Sequence, residues 1–231
     1  MLFCGPKKRG GLKSRAQRAH APRPYAPRLV IMVKEPVAGR VKTRLARGIG
    51  TASATGVYRA MQASVVARLA SDRRWQTILA VSPDTALRSP MLPERGVRAA
   101  QGGGDLGDRL QRLADTQPSG PVVIIGTDIP AIPSADIAAA FGALGSHDAV
   151  FGPSSDGGYW LVGLKRFPRA ANVFANVRWS TADALADTRA NLIGRRTALL
   201  RIYDDIDTGD DLAAQRALIG RRILPRAARS R

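Results

Sequence analysis

The sequence predicts an α/β protein, a three-layer sandwich with a mostly parallel central sheet. Short continuous apolar runs alternate along the chain with segments whose apolar residues recur at helical spacing, and turn residues separate the two kinds of segment. Continuous apolar runs, unlike alternating ones, are typical of strands buried on both faces. The 231 residues are enough for one domain with a substantial core.

The individual elements follow from this alternation. Residues 29–33 (LVIMV) are continuously apolar and stop at the turn sequence EPVAG, so we expect a buried strand there. Residues 57–69 place an apolar side chain at every fourth position, which predicts a helix with one buried stripe. The same reasoning predicts further strands at 77–81, 121–125, 149–151, 159–162 and 198–202, and further helices at 106–113, 137–144, 181–192 and 210–218.

The formal net charge of +18 is concentrated at the two ends of the chain. Residues 1–28 contain eight basic side chains and residues 216–231 contain six, and neither end contains an acid. We therefore expect a basic, disordered leader at 1–28, a globular domain at 29–215, and a basic C-terminal tail at 216–231 whose start completes the last helix. The acid-free ends also predict weak, salt-dependent binding of polyanions.

Cysteine and histidine content excludes several kinds of site. Cys4 is the single cysteine, and His20 and His147 are the two histidines, so an intramolecular disulfide is excluded and a thiolate or histidine metal centre is not expected. This content predicts a cytoplasmic location. No apolar run approaches the roughly 18 residues of a membrane span.

A basic loop follows the first predicted strand. It carries Lys34, Arg40, Lys42 and Arg44 around Gly39, and we predict that it binds a di- or triphosphate. The alternative is a solvated basic loop, because the spacing is not that of a Walker motif.

Two further loops carry candidate ligands after predicted strands. Gly103 and Gly104 precede Asp105, so the backbone there is able to approach a nucleotide, or Asp105 simply caps the next helix. Asp128 ends the strand at 121–125 and is placed to bind magnesium, with an Asx turn as the alternative.

Acidic residues mark two more loops. Asp156 is followed by Gly157 and Gly158, which suggests a tight turn under a bound group. Residues 204–212 hold five carboxylates, too many for one helix cap, and period-2 geometry puts Asp205 and Asp207 on one side of an extended segment. Because such a cluster repels itself, it predicts a nearby cation, with magnesium the plausible ion for oxygen ligands.

These motifs together resemble a bacterial family labelled GT-A-fold glycosyltransferase-like, or rSAM/selenodomain-associated transferase. The segments that carry the resemblance, in order, are KEPVAGRVKTRL (34–45), GGDLGDR (103–109), GTDIP (126–130), GPSSDGGYWLVGL (152–164), RWST (178–181) and DIDTGDDL (205–212). More distantly, the first and last segments are similar to those of 2-phospho-lactate guanylyltransferase and of the molybdenum-cofactor nucleotidyltransferases. The resemblance covers about residues 29–215 and implies the fold of nucleotide-diphospho-sugar transferases, GT-A and Rossmann-like.

The resemblance also implies roles for individual residues. It implies that a nucleotide or nucleotide-sugar donor lies across the first half of the sheet and that its phosphates contact Arg40, Lys42 and Arg44. It implies that Asp128 and Asp207 are catalytic and hold Mg²⁺ or Mn²⁺. The acceptor side is implied to include Asp156, Gly157, Gly158, Tyr159 and Trp179.

Three functions remain open from the sequence. The favoured one is magnesium-dependent glycosyl transfer from a nucleotide-sugar donor to a small-molecule acceptor. The second is nucleotidyl transfer, which joins a nucleoside monophosphate to a phosphorylated acceptor and releases pyrophosphate. The third is a nucleotide-binding or nucleic-acid-binding protein without catalysis, in which the basic ends supply the affinity.

Overall fold

A seven-stranded sheet forms the centre of the computed structural model, which describes residues 25–167 and 172–219. In chain order the elements are β1 (Arg28–Lys34), α1 (Thr43–Ile49), α2 (Thr51–Leu69), β2 (Gln76–Ser82), β3 (Val97–Ala100), α3 (Leu106–Thr116), β4 (Val122–Ile125), α4 (Ser134–Ala143), β5 (Ala149–Pro153), β6 (Tyr159–Leu164), α5 (Ala184–Ala190), β7 (Thr197–Leu199) and α6 (Gly209–Ile219). A short 3-10 turn at Asp84–Ala86 follows β2.

The strand order is β3-β2-β1-β4-β6-β5-β7. β1 runs parallel to β2 and β4, β3 runs parallel to β2, and β7 runs parallel to β5, whereas β6 is antiparallel to both of its neighbours. The prediction of a mostly parallel sheet is therefore confirmed. Because β6 is reversed, its first residue, Tyr159, lies at the same edge of the sheet as the carboxyl ends of β1, β2 and β4.

Both faces of the sheet are covered, as the continuous apolar strands predicted. Leu29 and Ile31 of β1 pack with residues of α2 and α4 on one face. Val30 of β1 and Ile124 of β4 pack on the opposite face against α3 and against Phe174. Alternate residues of one strand thus belong to opposite cores, which gives the three-layer arrangement.

A third, smaller core fixes the end of the domain to its beginning. Leu45 of α1 and Met61 of α2 are fully buried against Ile206 and against Leu212 of α6. This contact brings the acidic segment before α6 next to the basic loop before α1, although more than 160 residues separate them.

The predicted boundaries differ from the observed ones at several elements. β3 was not predicted, because it is a partly exposed edge strand whose sequence, VRAA, has no continuous apolar run. α1 was not predicted either, since Leu45 is its one fully buried side chain. The helix predicted at 181–192 is shorter, Ala184–Ala190, because residues 179–183 form turns.

The structure also describes both ends of the predicted domain. Arg28, the last residue of the predicted leader, is 1% exposed at the start of β1 and donates to the carbonyls of Ala26, Pro118 and Ser119. The last helix continues to Ile219, within the predicted tail. Most of the leader and the rest of the tail lie outside the described residues, so the prediction that the leader is disordered stays a prediction.

Candidate functional site

A cavity of about 700 Å³ opens at the edge of the sheet where β1, β2 and β4 end. Its walls come from the loop after β1, the loop after β4, the turn between β5 and β6, the segment 179–181, and the extended segment before α6. This is the edge at which open α/β sheets bind ligands. Leu106 and Arg109 of α3 also line it, so all six segments that carry the resemblance contribute to the cavity.

The loop after β1 turns sharply at Lys42. This residue precedes α1 and has the left-handed backbone conformation, with φ 47° and ψ 48°. That conformation is uncommon for residues other than glycine, asparagine and aspartate. The turn directs the side chain inward, where it is 6% exposed, whereas Arg44 two residues later is 74% exposed.

Lys42 joins the two predicted metal ligands. Its Nζ lies 2.9 Å from Asp128 Oδ1 and donates to Asp207 Oδ1 at 2.8 Å. Burial alone would lower the pKa of Lys42, but the charges of both carboxylates and its hydrogen bonds to them outweigh burial and raise that pKa. Arg44 adds a longer contact, 3.4 Å from Nη1 to Asp207 Oδ2.

The acidic segment before α6, residues 204–208, is held by a backbone hydrogen bond to the loop after β4 and by packing in the third core. Ile206 is fully buried, and its N–H donates to the carbonyl of Asp128 at 3.1 Å. Thr208 and Asp211 cap the start of α6 reciprocally: Asp211 Oδ2 accepts from Thr208 N, and Thr208 Oγ1 accepts from Asp211 N. Burial, followed by the charge of Asp207, raises the pKa of Asp205 to about 6.

A buried polar network supports the basic loop from behind. Tyr58 Oη accepts from the backbone N–H of Lys34 at 3.0 Å, and Gln62 Nε2 donates to the Lys34 carbonyl at 3.0 Å. Gln101 Nε2 similarly donates to the carbonyls of Val33 and Ala80. We did not predict these residues, although Tyr58 and Gln62 are polar positions on the buried face of a helix and could have been found from that pattern.

The other half of the cavity, formed by the turn between β5 and β6 and by residues 179–181, is lined by aromatic rings and hydroxyl groups. Tyr159 packs edge-on against Trp179, with ring centroids 6.3 Å apart, and its hydroxyl meets Thr188 Oγ1 at 3.2 Å. Asp156, Ser180 and Thr181 complete this part of the wall. Like Lys42, Ser180 has a positive φ, 61°.

Arg178 fixes the segment that carries Trp179. Its backbone N–H and Nε both donate to Asp187 Oδ2, and its Nη2 donates to Asp187 Oδ1 at 2.8 Å. Its Nη1 also pairs with Asp183 at 2.7 Å. These hydrogen bonds lower the pKa of Asp187 to about 2.

Ten of the site residues predicted from sequence line the cavity: Lys34, Arg40, Lys42, Arg44, Asp128, Asp156, Gly158, Tyr159, Trp179 and Asp207. Five others do not line it: Gly39, Gly103, Gly104, Asp105 and Gly157. Sequence order alone does not separate these two groups, because neighbours in one loop face in different directions.

Two of the five have structural explanations. Asp105 caps α3, since its Oδ1 accepts from Asp108 N at 2.8 Å while Asp108 Oδ2 accepts from Asp105 N, so the capping alternative describes its contacts. Gly157 has φ +83°, and a Cβ there would lie 2.1 Å from the carbonyl oxygen of Ala182. The expected tight turn is present, but Gly157 approaches protein backbone rather than the cavity.

The carboxylates fit a hard divalent cation. Asp128 Oδ1 and Asp207 Oδ1 are at most about 5.7 Å apart, because each lies within 2.9 Å of the same nitrogen. This spacing is within reach of one hydrated magnesium ion, which typically keeps several waters beside one or two carboxylates. Within residues 25–167 and 172–219, no group of three or more His, Cys, Asp or Glu side chains is arranged as a metal site.

None of the helices in the described parts of the chain is long and apolar enough to cross a membrane.

Comparison with known proteins supports the fold and the family. The family described as "uncharacterized protein conserved in bacteria", DUF2064, matches residues 65–181. The chain is 27% identical to a candidate nucleotide-diphospho-sugar transferase from Desulfovibrio desulfuricans G20, with a TM-score of 0.77 over 88% of this chain and 91% of that one. No curated protein matches the sequence.

Two more distant structures share the fold. A 4-diphosphocytidyl-2C-methyl-D-erythritol synthase from Anaerococcus prevotii DSM 20548 is 10% identical, with a TM-score of 0.54 over 84% of this chain and 97% of that one. A CMP:2-keto-3-deoxy-manno-octonic acid synthetase complexed with CTP is 11% identical, with a TM-score of 0.53 over 84% and 98%. The predicted assignment to the nucleotide-diphospho-sugar transferase superfamily, and with it to the transferases, is confirmed. The chain belongs to the bacterial family DUF2064 and has the fold of the nucleotide-diphospho-sugar transferases.

Proposed function

We propose that the chain is a magnesium-dependent transferase that uses a nucleotide-sugar donor and transfers the glycosyl group to a hydroxyl of a small-molecule acceptor. The observation that carries the proposal is the meeting of Lys42, Asp128 and Asp207 on the wall of the large cavity. A cationic loop and a pair of carboxylates at one point suit a phosphate bridge together with its metal ion.

The charge distribution within the cavity supports a donor with phosphates. Among the described residues, the cations that line the cavity are Lys34, Arg40, Lys42, Arg44 and Arg109. Four of these five lie between the last residue of β1 and the first turn of α1, so positive charge is concentrated at one side of the cavity. Arg40 and Arg44 are exposed, and the contact of Arg44 with Asp207 is long, 3.4 Å, so both side chains would be able to turn toward a diphosphate.

Asp128 and Asp207 would hold the magnesium ion, since both present carboxylate oxygens and both are anchored by rigid backbone. When bound there, the metal would neutralise negative charge that develops on the departing phosphate. Lys42 and Arg44 would add positive charge at the same oxygens once the donor is bound.

The acceptor half favours an uncharged nucleophile over a phosphorylated one. Its lining includes Asp156, Tyr159, Trp179 and Ser180, with hydroxyls and a carboxylate but no cation. Arg109 is the cation outside the basic loop, and its Nε is engaged with the carbonyl of Gly104. A phosphorylated acceptor would meet the Asp156 carboxylate with no compensating charge, whereas a hydroxyl would meet suitable hydrogen-bond partners.

The reaction class can be tested by the product. With nucleotide-sugars and Mg²⁺, glycosyl transfer breaks the bond between the sugar and the phosphate oxygen and releases a nucleoside diphosphate. We expect acceptor-dependent release of nucleoside diphosphate, abolished by EDTA. Release of pyrophosphate from nucleoside triphosphates, with no nucleoside diphosphate released from nucleotide-sugars, would overturn the assignment of glycosyl transfer.

Nucleotidyl transfer is the second candidate, and the density of cations on the loop after β1 favours it, because a triphosphate carries more charge than a diphosphate. The same product assay separates it from glycosyl transfer. A protein that binds nucleotides but releases neither product from any donor would support the non-catalytic alternative.

A further inference from the structure

Lys42 occupies the position between the two carboxylates at which a bridging cation would sit. Its Nζ is within 2.9 Å of one oxygen of each carboxylate, and it is the one described side chain that contacts both. An ammonium and a metal ion cannot share this position, because both require the same two oxygens. The contact therefore bears on when a metal ion is able to bind.

The carboxylates are the fixed part of this arrangement. Asp128 lies in the loop after β4, which ends at Ile125, and its carbonyl accepts the N–H of the fully buried Ile206, one residue before Asp207. Both aspartates thus lie on backbone that is tied into the core, and their side chains are short. Lys42, in contrast, reaches the pair through a flexible four-carbon stem with a compact charged end.

The conformation of Lys42 is consistent with a contact that holds it in place. The left-handed conformation is unfavourable for a residue that carries a side chain, and it persists where surrounding contacts stabilise it. Here φ is 47°, residues 38–40 of the preceding loop are exposed, and the inward contacts of the side chain are those to Asp128 and Asp207. The two ion pairs thus accompany a strained turn that directs the side chain inward.

We propose that Lys42 acts as a built-in counter-ion that keeps a divalent cation out of the Asp128–Asp207 pair until a nucleotide is bound. The inference rests on the proposed function, because the phosphates of the donor supply the anion to which the Lys42 ammonium moves. Lys42 then leaves the carboxylates as it gains a phosphate partner, and the two oxygens become available. Metal and nucleotide consequently bind together, and the metal binds poorly alone.

Titration of the full-length protein with Mn²⁺ in the absence of nucleotide tests this directly, with free Mn²⁺ measured by electron paramagnetic resonance. We expect Lys42→Met to bind Mn²⁺ at least tenfold more tightly than the wild type. Lys42→Arg should remain close to the wild type, because it keeps a cation at the same position. Lys42→Gln provides a second uncharged variant if Lys42→Met does not fold, as judged by circular dichroism.

Arg40→Met is the matched control for general electrostatics. Arg40 lies on the same loop and lines the same cavity, but it makes no ion pair within residues 25–167 and 172–219. Its loss should change Mn²⁺ affinity less than threefold. Equal affinity of the wild type and the uncharged Lys42 variants would overturn the proposal, and so would an equal gain in Arg40→Met.

The test is independent of the proposed reaction, because no nucleotide is present in it. Nucleotide binding is measured separately, by the thermal shift that a nucleoside diphosphate produces with Mg²⁺. A failure of every nucleotide to bind would overturn the proposed function, whereas the Mn²⁺ titration decides whether Lys42 excludes a cation from the carboxylates.

Discussion

Replacing Gly157 by alanine should disturb the half of the cavity that we propose binds the acceptor, because the added Cβ would clash with backbone atoms. Gly157 has φ +83°, and the new Cβ would lie 2.1 Å from the oxygen and 2.6 Å from the carbonyl carbon of Ala182. These are backbone atoms, which a side-chain rotation cannot move. The left-handed conformation costs about 1–2 kcal/mol for a residue with a side chain, and forcing the two backbones apart adds about 1–3 kcal/mol.

The sum is about 2–5 kcal/mol, which for a domain of this size corresponds to a fall in Tm of about 4–20 °C. Gly158→Ala is the matched control. At Gly158 a Cβ would meet only the end of the Asp156 side chain, at 3.1 Å, and φ is not positive. We expect Gly158→Ala to lower Tm by less than about 3 °C, on a cost of less than about 1 kcal/mol.

Thermal unfolding of both variants, measured by circular dichroism, is the assay. The turn also bonds to the start of α5, where Leu185 N donates to the Gly157 carbonyl at 3.0 Å, so Gly157→Ala should raise the KM for acceptor more than that for donor. A Gly157→Ala protein that melts within 2 °C of the wild type would refute the reasoning. An equal loss in the two variants would refute it as well, since it would show that the contact with Ala182 is not the cause.

Three further predictions concern the site and the leader. Asp128→Asn and Asp207→Asn should each lower turnover about 10²–10³-fold if the carboxylates act at the transition state. The Tm without ligand should change little, since both side chains are partly exposed. A large fall in Tm with normal turnover per folded molecule would contradict this prediction. Arg178→Ala should leave Tm nearly unchanged, because the guanidinium is solvent-exposed, yet raise the KM for acceptor several-fold without changing donor affinity. Arg178→Lys should not restore the wild-type KM, because lysine lacks the bidentate geometry. Full rescue by lysine would argue against a positioning role. Deletion of residues 1–24, rather than 1–28, should preserve β1 and nucleotide binding but lower the salt concentration at which the protein elutes from heparin, and unchanged elution would remove the polyanion prediction.

The sequence predicted the layers and most of the strands because each of them depends on local patterning. The apolar run at 29–33 and the apolar stripe through Met61 and Leu69 each predict a buried face from local sequence alone, and these residues are largely buried in the structure. Strand direction is different. Nothing within residues 159–164 indicates that β6 runs antiparallel to β4, because direction depends on the connections and not on the strand.

The site was predictable as a set of loops but not as a set of contacts. Loops that follow strands of a parallel sheet meet at one edge, and this placed Asp128 and Asp207 near the basic loop. That the side chain of Lys42 lies between the two carboxylates, whereas Gly103 and Gly157 do not line the cavity, depends on backbone conformation and long-range packing. Ile206 packing on Leu45 is the contact that brings these segments together, and no local pattern reveals it.

The most direct test of the central claim is the binding of nucleotides with and without magnesium. The wild type and Asp207→Asn would be melted in the presence of uridine, guanosine, cytidine, adenosine and thymidine diphosphates, triphosphates and nucleotide-sugars. A ligand at 100 times its Kd adds roughly 2.7 kcal/mol, so we predict that at least one base raises the Tm of the wild type by about 5–10 °C with Mg²⁺. EDTA or the Asp207→Asn substitution should cancel most of this shift, whereas a flat response across the whole panel would contradict the account.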